Sequence, residues 1–382
     1  MKQVRGASPE VRGEGAPDLK RLAPENVRAI APYVPGKPIS ETARELHMRE
    51  EDILKMASNE NPIGPSPRAL AAIREALEVL HYYPDGSGYE LKKLLAGRLG
   101  LAQENFVLGN GSYDVLELVA RAFLTRDDSA IYAKHAFMVY PLAVQAIGAK
   151  AIEVPARNFG NDLEAMARAV RADTKIIFVA NPNNPTGTFT AWGDLRRLLE
   201  RVPQSVLVVI DEAYGEYLPD ELASPTPAWL SAHPNLVVAR TLSKAYGLAG
   251  LRVGYAFAHR DVADVMNRVR QPFNVNHLAM VAACAALEDR EFITTCRDVN
   301  ARGLVQLEKG FRELGLEFIP SRGNFIAVRV GDAARVYNAL LHDGIIVRPI
   351  AGYGMPEHLR VTVDLPENNQ RFLAALRRAL GR

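Results

Sequence analysis

Short apolar runs recur along the first two-thirds of the chain, each closed by polar or glycine-rich residues and followed by a stretch of helical periodicity. Val206-Leu-Val-Val-Ile210 and Lys175-Ile-Ile-Phe-Val-Ala180 are the clearest examples, with Leu236 to Ala239 close behind. Runs without polar alternation are the pattern of strands buried on both faces. Read this way, strands fall at 105–108, 129–132, 149–154, 175–180, 206–210, 235–239 and 252–258. Strands alternating with helices imply a largely parallel sheet covered on both faces. Gln271-Pro-Phe-Asn-Val-Asn276 breaks the alternation, and a long helical region follows at about 277–314. Mixed α+β patterning comes last, with strands near 325–330, 345–348 and 359–363. The pattern predicts an α/β protein with a large domain over 61–275 and a smaller α+β domain over 276–382. An arm at 21–60 returns to the smaller lobe, and residues 1–20, polar and glycine-containing, read as a flexible leader.

The chemistry gathers where the apolar runs end. Asp211-Glu-Ala-Tyr214 closes the run 206–210, placing an acid at the rim where open α/β sheets bind ligands. Asn181-Pro-Asn-Asn-Pro-Thr-Gly187 closes the run 175–180, and Asn184 in it is placed to hydrogen-bond a ring oxygen. Phe106-Val-Leu-Gly-Asn-Gly-Ser-Tyr-Asp114 reads as strand, glycine turn and helix start, a geometry that offers free N–H groups to an anion. Thr241-Leu-Ser-Lys-Ala-Tyr-Gly247 places Lys244 between two hydroxyls, with Arg252 eight positions on. A lysine can form a Schiff base once burial and neighbouring cations leave its amine neutral, while hydroxyls and an arginine suit a phosphate. Each segment alone also has a plainer reading: a surface lysine, a helix-capping Asp, a connecting turn, a common Gly-x-Gly.

Together the four segments resemble the pyridoxal-phosphate enzymes of the aspartate aminotransferase fold (fold type I), and within them the histidinol-phosphate aminotransferases. Supporting segments are Ala31-Pro-Tyr-Val-Pro-Gly-Lys-Pro38, Met56-Ala-Ser-Asn-Glu-Asn-Pro62, Tyr83-Pro-Asp-Gly-Ser-Gly-Tyr-Glu90, Gly344-Ile-Ile-Val-Arg-Pro349 and Leu359-Arg-Val-Thr-Val363. The resemblance covers residues 28 to 380.

It implies pyridoxal 5'-phosphate as cofactor, bound to Lys244, which then moves a proton between substrate and cofactor. Asp211 would hold the ring nitrogen's proton, Tyr214 and Asn184 would contact the ring's phenolic oxygen, and Phe137 would stack on the ring. The phosphate would rest on the backbone around Ser112 and Tyr113, with Thr241, Ser243 and Arg252 beside it and Tyr83 reaching in from a second subunit. Substrate would be held by Arg360, assisted by Arg348, with Asn184 and Tyr33 also in contact. Relatives often carry an acidic residue or Asn where this chain has Tyr113; a loop that acts through N–H groups tolerates the change. The implied activity is transamination, with histidinol phosphate and 2-oxoglutarate as substrates in histidine biosynthesis. Aromatic amino-acid aminotransferases share nearly all these motifs, and so does threonine-phosphate decarboxylase. A pyridoxal-binding transcription regulator would need a helix-turn-helix module, for which the stretch ahead of Ala31 is too short.

Composition narrows the rest. Lys and Arg number 46 against 44 Asp and Glu, a net charge of +2, so nothing favours a nucleic-acid partner. No apolar run approaches a membrane span, and the N-terminus lacks the apolar core of a signal peptide. Two cysteines, Cys284 and Cys296, suit a reducing, cytoplasmic setting. No His or Cys pair has ligand spacing, so no metal is expected. The expected partners are an amino donor, a keto acceptor and a second copy of the chain.

Overall fold

The computed structural model describes residues 18–32 and 36–382. Its centre is a seven-stranded sheet ordered Phe106–Gly109, Gly254–Ala258, Leu236–Thr241, Leu207–Asp211, Thr174–Ala180, Ser129–Ala133 and Lys150–Val154. All seven anticipated strands are there. Gly254–Ala258 runs antiparallel to both neighbours, and the other pairings are parallel. That strand starts two residues later than anticipated because Arg252 takes a left-handed φ of 55°.

Successive residues of the central strands alternate between two cores, as a pleated strand requires. Val208 and Ile210 face one, with Leu91, Leu95 and Leu195 from covering helices; Leu207 and Val209 face the other, with Val115, Leu116 and Tyr140. Each such buried side chain contributes about 1.5–3 kcal/mol relative to exposure. This two-sided burial is why the strands read as continuous apolar runs.

The second lobe centres on a four-stranded antiparallel sheet ordered Arg348–Pro349, His358–Thr362, Phe325–Arg329 and Phe318–Ile319. Leu54–Lys55 of the N-terminal arm pairs in parallel with Ile345–Ile346. Two-residue strands carry no readable periodicity, which is why 54–55 and 318–319 went unanticipated. The long helical region is two helices, His277–Glu288 and Arg290–Glu313, divided at Asp289, whose side chain accepts the N–H of Phe292. The first contributes Ala279, Met280 and Ala283 to the core of the large sheet. Among the described residues no helix is long and apolar enough to cross a membrane.

Candidate active site

Parallel strands present their carboxyl ends at one edge, so the polar closures of separate apolar runs meet there. Twelve of the anticipated residues line a single cavity of about 210 Å³: Ser112, Tyr113, Phe137, Asn184, Asp211, Tyr214, Thr241, Ser243, Lys244, Arg252, Arg348 and Arg360. Two do not. Tyr83 is 82% exposed and stacks on Phe273 with ring centroids 4.8 Å apart. Tyr33 lies outside the described residues.

Lys244 follows the strand Leu236–Thr241 in a tight loop, with the Ser243 N–H on Thr241 Oγ1 (3.2 Å) and the Gly247 N–H on the Lys244 carbonyl (2.9 Å). Its Nζ donates to the Ser58 carbonyl at 3.1 Å. Burial lowers its pKa from 10.5 to about 8, and the Arg360 and Arg252 guanidiniums push the same way. A substantial neutral fraction near physiological pH is what a carbonyl-attacking amine needs.

Asp211 ends the central strand, 4% exposed. Oδ2 accepts the Tyr140 hydroxyl at 2.9 Å and Oδ1 accepts the Ala213 N–H at 3.1 Å. Burial raises its pKa from 3.8 to about 6, against the pull of these two hydrogen bonds. Tyr140 is itself fully buried, stacked on Phe178 at 4.8 Å and edge-on to Phe137 at 6.0 Å.

An anion cradle forms beside the lysine. Ser112 opens the helix Ser112–Phe123, and Arg252 Nη1 donates to Ser243 Oγ at 3.2 Å. Two glycines there are required, one by conformation and one by space. Gly111 takes a left-handed φ of 85°, and a Cβ on Gly254 would come within 2.5 Å of the Ser112 backbone nitrogen. Backbone N–H groups, a helix N-terminus, two hydroxyls and a guanidinium suit a phosphate. Tyr113 is 38% exposed, and burial together with Glu117 raises its hydroxyl pKa.

Opposite the cradle, Arg360 is 7% exposed. It donates to the Ala57 carbonyl and to Asn184 Oδ1, each at 2.6 Å. A guanidinium is donor only, so it fixes the Asn184 amide with its Nδ2 as the free donor. Arg348 pairs with Arg360 across adjacent strands. Tyr214 accepts the Asn59 amide at 2.8 Å. A phosphorylated pyridine aldehyde fits these groups: amine, carboxylate, ring-oxygen donors and phosphate cradle border one cavity.

Tyr140, Asn59, Ser58 and Tyr353 were not singled out from the sequence, although Ser58, Asn59 and Tyr353 line the cavity. Asn59 and Ser58 lay inside a quoted motif without a role. Tyr140 lies three residues beyond Phe137, in the first turn of the helix Val139–Ile147.

The chain belongs to the aminotransferase class I and II family, whose model matches residues 51–376. It is 58% identical over 354 residues to a histidinol-phosphate aminotransferase of Thiobacillus denitrificans, covering 93% of this chain and 92% of that one. With a histidinol-phosphate aminotransferase of Pseudomonas fluorescens it shares 57% identity over 367 residues, covering 94% and 98%. Among solved structures it is similar to the histidinol-phosphate aminotransferase from Sinorhizobium meliloti in complex with pyridoxal-5'-phosphate. There the TM-score is 0.85, with 27% identity and coverage of 94% and 97%. The fold is therefore the fold type I expected from the motifs.

Proposed function

We propose that the protein is a pyridoxal-phosphate-dependent transaminase that exchanges the amino group between histidinol phosphate and 2-oxoglutarate. The observation that carries this reading is the Arg348–Arg360 pair on adjacent strands, facing the cavity that holds Lys244. Paired guanidiniums recognise planar carboxylates bidentately and phosphates equally well. Glutamate has a carboxylate to offer; histidinol phosphate has only its phosphate ester. One anchor of this kind serves both.

Pyridoxal phosphate, when bound, supplies a protonated ring that draws electrons from the substrate's amine-bearing carbon. Lys244 Nζ would hold the cofactor and then carry the proton. Asp211 would keep the ring nitrogen protonated. Asn184 Nδ2 and the Tyr214 hydroxyl would donate to the ring oxygen, Phe137 would cover the ring, and Ser112, Thr241, Ser243 and Arg252 would hold the phosphate. Arg360 and Arg348 orient the substrate's acidic group.

The same reading makes the working unit a homodimer. Tyr83 lies on a surface that also exposes Leu80 and Tyr82, and in a two-fold assembly it reaches the partner's phosphate cradle. We take the large lobe to extend to about residue 288, with Leu54–Lys55 of the arm joining the smaller lobe while Asn26 hydrogen-bonds the Gln145 and Ala146 carbonyls of the large one, and the enzyme to be cytoplasmic.

Side-by-side kinetics test the substrate assignment. Histidinol phosphate should have a higher kcat/KM than phenylalanine or tyrosine. Arg360→Ala should slow both half-reactions at least about tenfold, since charge-assisted hydrogen bonds contribute about 1.5–3 kcal/mol. Faster turnover of phenylalanine than of histidinol phosphate would replace this reading with that of an aromatic aminotransferase.

A further inference from the structure

Asn59 sits where the N-terminal arm, the large sheet and the second lobe meet. Its N–H donates to Thr362 Oγ1 at 2.9 Å, and that hydroxyl donates back to Asn59 Oδ1 at 3.2 Å. Its carbonyl accepts Asn324 Nδ2 at 3.0 Å. The side-chain amide donates to Tyr214 Oη at 2.8 Å. The residue is 1% exposed and held at a left-handed φ of 56°, which asparagine tolerates better than most side chains.

The consequence falls on the tyrosine. A phenolic hydroxyl has one proton and accepts through its oxygen, whereas an amide NH₂ only donates. Asn59 therefore occupies the accepting side of the Tyr214 oxygen and cannot take its proton. Tyr214 borders the cavity, and its proton is left to point there. Thr362, which holds the Asn59 amide in this orientation, lies two residues along the strand from Arg360.

We infer that Asn59 is a positioning residue: it aims the Tyr214 proton at the cofactor's ring oxygen and links that hydrogen bond to the strand bearing the substrate anchor. The inference rests on the reading that Tyr214 meets the ring oxygen.

The test uses cofactor-loaded enzyme and reads the pH at which the bound cofactor's visible absorbance changes, alongside the cofactor dissociation constant. A proton donated to the ring oxygen stabilises negative charge there. It does so most once the neighbouring nitrogen has lost its own proton, and so it lowers the transition pH. Asn59→Asp keeps the shape but substitutes an acceptor, which captures the tyrosine proton. The transition should rise by about one pH unit, as in Tyr214→Phe, and the cofactor should bind more weakly. In a Tyr214→Phe background the same Asp substitution should produce only a small remainder, because no hydroxyl is left to redirect. Equal shifts in both backgrounds, or no shift in Asn59→Asp, would overturn the inference. If Asn59→Asp fails to load cofactor, Thr362→Val decides. It frees the Asn59 amide to turn, and an unchanged transition in that variant would overturn the inference equally. No shift in Tyr214→Phe alone would instead remove the reading beneath it.

Discussion

Replacing Asp211 by Asn should make the cofactor-free protein more stable while nearly abolishing turnover. The carboxyl is 4% exposed, and its pKa rises from 3.8 to about 6 because burial disfavours the charge. At 1.36 kcal/mol per tenfold, that rise corresponds to about 3 kcal/mol. The sign follows from linkage. A raised carboxyl pKa means the folded state holds the proton more tightly than the unfolded chain. Below pH 3.8 both states are protonated and nothing is lost. As pH climbs to about 6 the folded state is progressively penalised, and above it the full penalty remains. Asn carries no charge to bury and still offers its oxygen to the Ala213 N–H and its NH₂ to the Tyr140 oxygen. Urea unfolding of cofactor-free protein should therefore favour Asp211→Asn by up to about 3 kcal/mol at pH 8, with the advantage gone near pH 4.

Turnover should move the other way. Breaking one side of a buried charge pair costs about 3–5 kcal/mol, here the pair that the proposed function has Asp211 form with the protonated ring nitrogen. Single-turnover absorbance should then show a rate loss of at least about a hundredfold. A variant less stable than wild type at pH 8, or a stability difference that ignores pH, would refute the burial argument. Near-wild-type turnover would refute the catalytic one. The two readouts fail independently, so a general loss of structure cannot mimic the expected pair of results.

Attachment of pyridoxal phosphate to cofactor-free protein should accelerate with a midpoint near pH 8, the value to which burial and the Arg360 guanidinium bring Lys244. The midpoint should rise in Arg360→Ala, and borohydride should fix the label on Lys244 alone; a labelled peptide carrying another lysine would sink the assignment. Gly254→Ala places a Cβ 2.5 Å from the Ser112 nitrogen and 2.9 Å from the Arg240 carbonyl, both backbone. Overpacking of that kind costs about 1–3 kcal/mol, so equilibrium dialysis should show cofactor affinity down by about tenfold or more. Mixing inactive Tyr83→Phe and Lys244→Ala subunits should restore part of the activity, because one hybrid site is intact; no recovery after verified exchange would place Tyr83 outside the partner's site.

Legibility in the sequence followed physical period. The seven strands of the large sheet were readable because both faces are buried and every residue from Val206 to Ile210 had to be apolar. Two-residue strands such as 318–319 offer nothing to read. The segment Gln271–Asn276 reads as a boundary and places the helix His277–Glu288 in the smaller lobe, yet its alanine-rich face packs in the large core. Periodicity describes how a helix divides inside from outside, but not which of two cores it faces.

The site divides along the same line. That Lys244, Asp211 and Asn184 meet was readable, because each closes or follows an apolar run and parallel strands end at one edge. Which atom each presents was not. Asn184 is oriented by Arg360 from 176 residues away, Tyr214 by Asn59 from 155, and Asp211 by Tyr140 from 71. In every case the orienting group is a donor with a fixed direction, set by packing between elements that share no local pattern. Tyr140 shows the point most sharply. Along the helix Val139–Ile147 it is one more buried position, and only the sheet beneath it places its hydroxyl on a carboxylate. Catalytic identity is therefore written locally at the strand ends, whereas protonation and orientation, on which the rates depend, are written in long-range contacts.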